Sequence, residues 1–136
     1  MTAHLHHVHL FASDLEASLA FFCDLLGGRV VADLPLAGAR NVFVALGGER
    51  LHLYDQPPRA GGRGAVHHLG IQTDDLETLV ARMKARGVVF RKEITDFGPW
   101  KYAMATAPDD LLLELSEVDR AQLPPALIGF FANRDG

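Results

Sequence analysis

Displacing the sequence against itself by 61 positions, the separation of His6 from His67, lays His6-His7 on His67-His68 and Leu10 on Ile71. The same offset lays Asp14-Leu15-Glu16 on Asp75-Leu76-Glu77 and Leu19 on Val80. Gly28 falls two residues out of register with Gly87, and Val30-Val31 lies close to Val88-Val89. Further on, Gly48 to Leu53 corresponds to Asp109 to Leu115 once a one-residue difference is allowed in the preceding turn, which sets His52 opposite Glu114. Two repeats of about 60 residues are too few and too long for a solenoid array, so the duplication predicts paired modules around a common centre.

Within each repeat the apolar spacing passes from strand-like to helical and back. Ser13 opens a Ser-x-x-Glu capping box with Glu16, and Leu15, Leu19, Phe22 and Leu26 follow at helical spacing until Gly27-Gly28. Cys23 lies beside that stripe. The second helix is predicted to start near Asp74, with Glu77 three residues on, to present Leu76, Leu79, Val80 and Met83, and to stop at Gly87. Strands are predicted at Leu5 to Phe11, Arg29 to Leu34, Asn41 to Leu46 and Arg50 to Asp55, then at Val66 to Thr73, Val88 to Glu93, Trp100 to Thr106 and Leu111 to Glu117. Each module thus reads βαβββ, at residues 1–56 and 65–118 of a single domain spanning 1–136. A Pro- and Gly-rich linker, 57–64, separates them, and a tail, 119–136, follows.

Alternation along the strands sorts the side chains. His7 and His9 share one face of the first strand while Val8 and Leu10 turn toward the helix. Likewise His68, Gly70 and Gln72 oppose Leu69 and Ile71; His52 and Tyr54 oppose Leu51 and Leu53; Leu112, Glu114 and Ser116 oppose Leu111, Leu113 and Leu115. If the modules form one curved mixed sheet, His7, His52, His68 and Glu114 line a concave metal-binding cleft, and the fold class is α+β. One strand histidine alone is ordinarily a surface or packed residue, but four candidate ligands at repeat-related positions point to a divalent first-row metal, Zn, Ni, Co, Mn or Fe(II). A Glu114 buried among leucines would otherwise need a cationic or hydrogen-bonding partner. Parity turns His6 and His67 to the opposite face, and His4 stands at the start of the first strand. These histidines are no purification tag, because Leu5, Val8 and Leu10 interrupt them.

Charge and composition narrow the partners. Thirteen Lys and Arg against 17 Asp and Glu give a net charge of -4, which is no electrostatic footprint for nucleic acid or an anionic membrane. The expected partner is a small molecule. A single cysteine, Cys23, closes no intrachain disulfide, and no signal-peptide pattern or membrane-length apolar run is visible, so a reduced, cytoplasmic setting is expected. Open sheet edges and the apolar tail residues Leu127, Ile128, Phe130 and Phe131 predict a homodimer, the tail packing on a subunit interface or on the outer face of its own chain.

From His7 to Glu117 the sequence resembles the vicinal oxygen chelate superfamily, which includes glyoxalase I, methylmalonyl-CoA epimerase, extradiol dioxygenases and the fosfomycin and bleomycin resistance proteins. The resemblance rests on His7-Val8-His9-Leu10 with Ser13-Asp14-Leu15-Glu16-Ala17-Ser18, Phe21-Phe22 and Leu26-Gly27, then on His68-Leu69-Gly70-Ile71 and on Ala107-Pro108-Asp109-Asp110 leading into Leu113-Glu114-Leu115. It implies paired βαβββ modules, commonly dimeric, with His7, His68 and Glu114 at the metal-ligand positions. At the fourth position glyoxalase I and the epimerase place Glu or Gln where this chain has His52, and the usual Pro-Asp-Gly turn is here Pro108-Asp109-Asp110. Fosfomycin-type members carry Lys and Tyr around the strand before the final ligand; here that stretch, Ile94 to Met104, reads Phe97-Gly98-Pro99-Trp100-Lys101-Tyr102 at its centre, and the resemblance does not extend to that activity.

Three chemistries follow from the resemblance. A glyoxalase-like lyase or epimerase would act on a small oxygenated metabolite through an enolate-like intermediate, with Glu114 as the catalytic carboxylate. An Fe(II) extradiol-type dioxygenase would use His7, His68 and Glu114 as a 2-His-1-carboxylate set, with His52 filling a position such enzymes leave open. A ligand-sequestering, resistance-type protein would bind without turnover. In each case His9, Tyr54, Gln72 and Tyr102 are the substrate-binding candidates, ahead of Arg40, Asn41, Trp100 and Lys101.

Overall fold

The computed structural model describes residues 5–36, 38–59 and 66–132. His4, most of the predicted linker and the end of the tail lie outside them. The chain divides into two compact units, Met1–Gly61 and Gly62–Asn133. The class is α+β, with one mixed sheet in each unit.

In the first unit the order is β1 (Val8–Phe11), α1 (Leu15–Leu19), β2 (Arg29–Leu36), β3 (Ala39–Leu46) and β4 (Glu49–Tyr54). The sheet runs β1-β4-β3-β2, with β1 parallel to β4 and the other pairs antiparallel. Val42, Val44, Leu51 and Leu53 cover the helix from the sheet side and are buried with Leu15, Phe21, Phe22 and Leu25, each side chain contributing about 1.5–3 kcal/mol of transfer free energy. After Leu19 the helix widens into π-type winding over Ala20–Leu25, which buries the adjacent Phe21 and Phe22 together. The exit is tight: a Cβ at Gly28 would lie 2.7 Å from the Phe22 carbonyl oxygen and 2.9 Å from Val44 Cγ1.

The N-cap of α1 falls one residue later than the Ser13 expected. Asp14 is the N-cap, its carboxylate accepting from the Ala17 amide at 3.0 Å. The Arg40 guanidinium, reaching from β3, takes the Glu16 carboxylate at 2.8 Å, so Glu16 is engaged away from the cap.

The second unit repeats the scheme with β5 (Leu69–Gln72), α2 (Leu76–Ala85), β6 (Val89–Phe90), β7 (Thr95–Asp96), β8 (Trp100–Thr106) and β9 (Leu112–Val118). The sheet runs β5-β9-β8-β6, with β7 also on β8. Its core holds Leu76, Val80 and Met83 from α2 with Leu113, Leu115, Ala103 and Ala105. The cap is Asp75, accepting from the Thr78 amide at 3.1 Å, and not Asp74. Thr73 Oγ1 accepts from the Asp75 amide and Glu117 Oε1 from the Leu76 amide at 2.8 Å, which places the first helical turn one residue later. The strand predicted over Val88 to Glu93 is interrupted, because Arg91 to Ile94 stand opposite only Ala103 and Met104. Four residues cannot pair with two, so the segment loops out and pairing resumes at Thr95. Asp109 and Asp110 both adopt positive φ, 60° and 59°, in the turn before β9. No helix among the described residues is long and apolar enough to cross a membrane.

Candidate functional site

In the first unit the ladder puts His9 on the same rung as His52 and Phe11 on the same rung as Tyr54. His7, two residues before His9, emerges on that face. Its ring stacks on His52 with centroids 3.8 Å apart and planes 12° apart. His9 meets His52 at 5.9 Å and Tyr54 at 5.3 Å, both edge-on, while Phe43 on β3 supports His52 at 4.3 Å. The ligating nitrogens of His7, His9 and His52 all lie within 4.8 Å of one another. Burial, and after it the neighbouring His7, His9 and His6, hold the His52 pKa below the ordinary imidazole value. His52 is therefore neutral at physiological pH, the form that ligates metal.

In the second unit His68 Nε2 stands 3.6 Å from Glu114 Oε2. Gly70 shares a rung with Glu114, and Gln72 with Ser116. Across the antiparallel ladder Met104, Tyr102 and Trp100 pair with Glu114, Ser116 and Val118, so they project from the same face. Leu113 and Leu115 are buried on the other side. Within this unit Glu114 and His68 thus come together, on the face that sequence alternation gives them both.

Parity did not foresee the paired histidines. His6 Nδ1 lies 3.1 Å from His7 Nδ1, and at the repeat-related place His67 Nδ1 lies 2.7 Å from His68 Nδ1. Although their positions alternate, adjacent rings meet at the unpaired strand starts. A hydrogen bond through Nδ1 leaves Nε2 of His7 and of His68 for a metal, the outer-shell arrangement that orients a ligating imidazole. The repeat was the available signal, since both pairs fall at its strongest match.

The remaining substrate-binding candidates divide. Gln72 donates from Nε2 to the Phe131 carbonyl at 3.0 Å, and the Phe131 ring lies 5.4 Å from Trp100. The tail thus meets residues of the Glu114-bearing face of its own unit, and not the outer face that was one of the two places expected for it. Phe97 stands edge-on to Trp100 at 4.5 Å and to Tyr102 at 6.3 Å, completing an aromatic wall. Arg40 is held by both oxygens of Asp33 and by Glu16, Asn41 donates to the Leu36 carbonyl, and Lys101 lies between Glu77 and Glu117. These three residues brace the fold.

The donor types suit a divalent first-row metal. With M–N bonds of about 2.0–2.1 Å, neighbouring nitrogens around a tetrahedral ion lie about 3.3 Å apart. Ring shifts of an ångström or so close the present spacing to that value.

The sequence matches the Glyoxalase/Bleomycin resistance protein/Dioxygenase superfamily over residues 4–115. It is 32% identical over 95 residues to the mitochondrial methylmalonyl-CoA epimerase of Homo sapiens, covering 62% of this chain and 54% of that protein. The chain therefore spans about half the length of that relative. The structure resembles TnmS3, an antibiotic binding protein from Streptomyces sp. CB03234, with a TM-score of 0.72, 27% identity, and 87% and 98% of the two chains covered. It also resembles FosX, a fosfomycin resistance protein from Listeria monocytogenes solved with Mn(II) and sulfate, with a TM-score of 0.73, 18% identity, and 90% and 98% covered.

Proposed function

The chain belongs to the glyoxalase/bleomycin resistance protein/dioxygenase superfamily, and from that membership we propose a metal-dependent lyase or epimerase acting on a small oxygenated metabolite. In this reading His7, His52, His68 and Glu114 are the metal-ligating set and Glu114 is also the base. The observation that carries it is the Glu114 carboxylate, 3.6 Å from His68 Nε2 on a sheet face left open by Gly70. The epimerase relative supports the reaction class, and the Mn(II) complex of FosX supports the metal.

A bound divalent ion supplies Lewis-acid polarisation of substrate oxygens and so raises the acidity of the adjoining carbon. Held by His7, His52, His68 and Glu114, such an ion would keep a formal charge of +1, which would favour an anionic oxygen. Glu114 would take the proton from the carbon α to the carbonyl; in the lyase case it returns that proton to the neighbouring carbon, and in the epimerase case a second acid on the other face of the flattened carbon supplies the incoming proton while Glu114 keeps the one it took. Leu113 and Leu115, buried on either side of it, hold the backbone that aims its carboxylate. His68, bonded through Nδ1 to His67, keeps Nε2 toward the same point.

Deuterium exchange tests the proposal. Protein purified without chelator is analysed for metal and then incubated with methylmalonyl-CoA in D2O, exchange at the α-carbon being followed by NMR. The expected result is a first-row metal with exchange by the wild type, lost in metal-replete Glu114→Gln. Exchange retained in that variant removes Glu114 as the base. A second reading, a ligand-binding protein without turnover, is favoured by the aromatic wall of Phe97, Trp100, Tyr102 and Phe131 and by the likeness to TnmS3. Tight binding of a planar aromatic ligand by metal-free protein, with no exchange, would establish it.

A further inference from the structure

His9 stands in the first unit with no role in the ligand set just proposed, yet its ligating nitrogen lies within 4.8 Å of those of both His7 and His52. A rise of about 3.3 Å per strand residue puts the side-chain origins of His7 and His9 about 6.6 Å apart on one face, a gap two imidazoles span when both reach for one ion. His52 closes the triangle, sharing a rung with His9 and stacking on His7. Packing alone gives little reason for the grouping, because His7 and His9 are exposed and exposed rings gain little from contact.

We infer that the first unit binds a divalent first-row metal by itself, through His7, His9 and His52, with His9 a ligand in its own right. The inference shares His7 and His52 with the proposed function but does not need His68 or Glu114. Among the described residues this metal-competent group consists of imidazoles alone. An all-imidazole set takes Cu(II), Ni(II), Zn(II) or Co(II) and refuses Mg(II), Ca(II) and Mn(II), which prefer oxygen. The contact of His6 with His7 Nδ1 at 3.1 Å turns the Nε2 of His7 to the ion and fixes its ring. His9 then serves metal retention by this unit.

The test uses the full chain and Co(II) as the probe, read by calorimetry and by the visible absorption of bound Co(II). The double variant His68→Ala/Glu114→Ala is expected to bind one equivalent of Co(II) that excess Mg(II) does not displace. Adding His9→Ala is expected to weaken that binding by more than about tenfold, since even an outer partner of a ligand costs that much. His9→Phe, which keeps a ring on the exposed face, should lose it equally, and circular dichroism confirms that both variants are folded. The inference is overturned if the double variant binds no Co(II), if Mg(II) displaces it, or if His9→Ala leaves the affinity unchanged. Failure of the four-ligand reading looks different: wild type and double variant would then share one affinity and one spectrum, with the three-imidazole site intact.

Discussion

Replacing Gly70 by Leu should leave the fold standing while closing the face that carries Glu114. Gly70 lies on β5, on the same rung as Glu114, and an added Cβ there meets nothing within 4 Å. Its φ is not among the positive values of this chain, so an L side chain is accommodated without backbone strain. Glycine inside a strand gives up about 0.5–1 kcal/mol of conformational entropy that other residues do not. Gly70→Ala should therefore be neutral or stabilising by up to about 1 kcal/mol, a rise of no more than about 4 °C in Tm for a chain of this size. Leucine adds the same backbone gain but also bulk. Adjacent strands are about 4.8 Å apart, so its branched end stands over the 3.6 Å gap between His68 Nε2 and Glu114 Oε2. In the proposed site that bulk should weaken metal and ligand binding by more than about tenfold, or 1.4 kcal/mol, while Gly70→Ala binds nearly as wild type. Thermal unfolding and metal titration of the two variants check both halves. Wild-type affinity in Gly70→Leu would refute the placement of the ligand on this face. A fall in Tm of either variant beyond about 4 °C would show the space above Gly70 to be filled.

Asp14→Ala should lower stability by about 1 kcal/mol in urea unfolding, the usual cost of an N-cap, because its carboxylate holds the Ala17 amide; an unchanged urea midpoint would refute that cap. The hydrogen bond from Arg40 holds the Asp33 carboxyl below its ordinary value of 3.8, so the pair stabilises the fold fully above that pH and loses its contribution as pH falls through the lower folded-state value. The stability gap between wild type and Arg40→Met, followed by urea midpoints, should accordingly narrow only at acid pH; a gap constant down to pH 2 would refute it. Trp100 is the sole tryptophan and Phe131 lies against it, so Phe131→Ala should shift its fluorescence to longer wavelength; an unchanged spectrum would show that the tail leaves this face in solution.

The two modules were legible because each strand that carries a site residue alternates sharply. Leu113 and Leu115 are fully buried on either side of Glu114, a contrast any reading of period two finds. The helix starts were not legible to the residue. At Glu16 the deciding partner is Arg40, 24 positions away, and at Leu76 it is Glu117, 41 positions away; local capping rules contain neither. The π-type turn was hidden for a related reason, since Leu15, Leu19, Phe22 and Leu26 already satisfy a helical stripe and only the joint burial of Phe21 and Phe22 betrays the wider winding. The break after Phe90 depends on which residues of β8 stand opposite, a property of two strands and not of one.

The same distinction separates the two metal arguments. That His7 and His9 share a face follows from alternation alone. That His52 joins them depends on the register of β1 against β4, because a slip of one residue would put Leu51 beside His9 and turn His52 away. Register is itself set by burial: Leu51 and Leu53 are buried on the helix side with Val42 and Val44, and the slip would expose them to water. Each would lose about 1.5–3 kcal/mol of transfer free energy, far more than any gain from regrouping imidazoles of which His7 and His9 are exposed. The apolar side of the first sheet therefore positions the three histidines on its polar side, and a substitution such as Leu53→Ala should loosen the cluster without touching it.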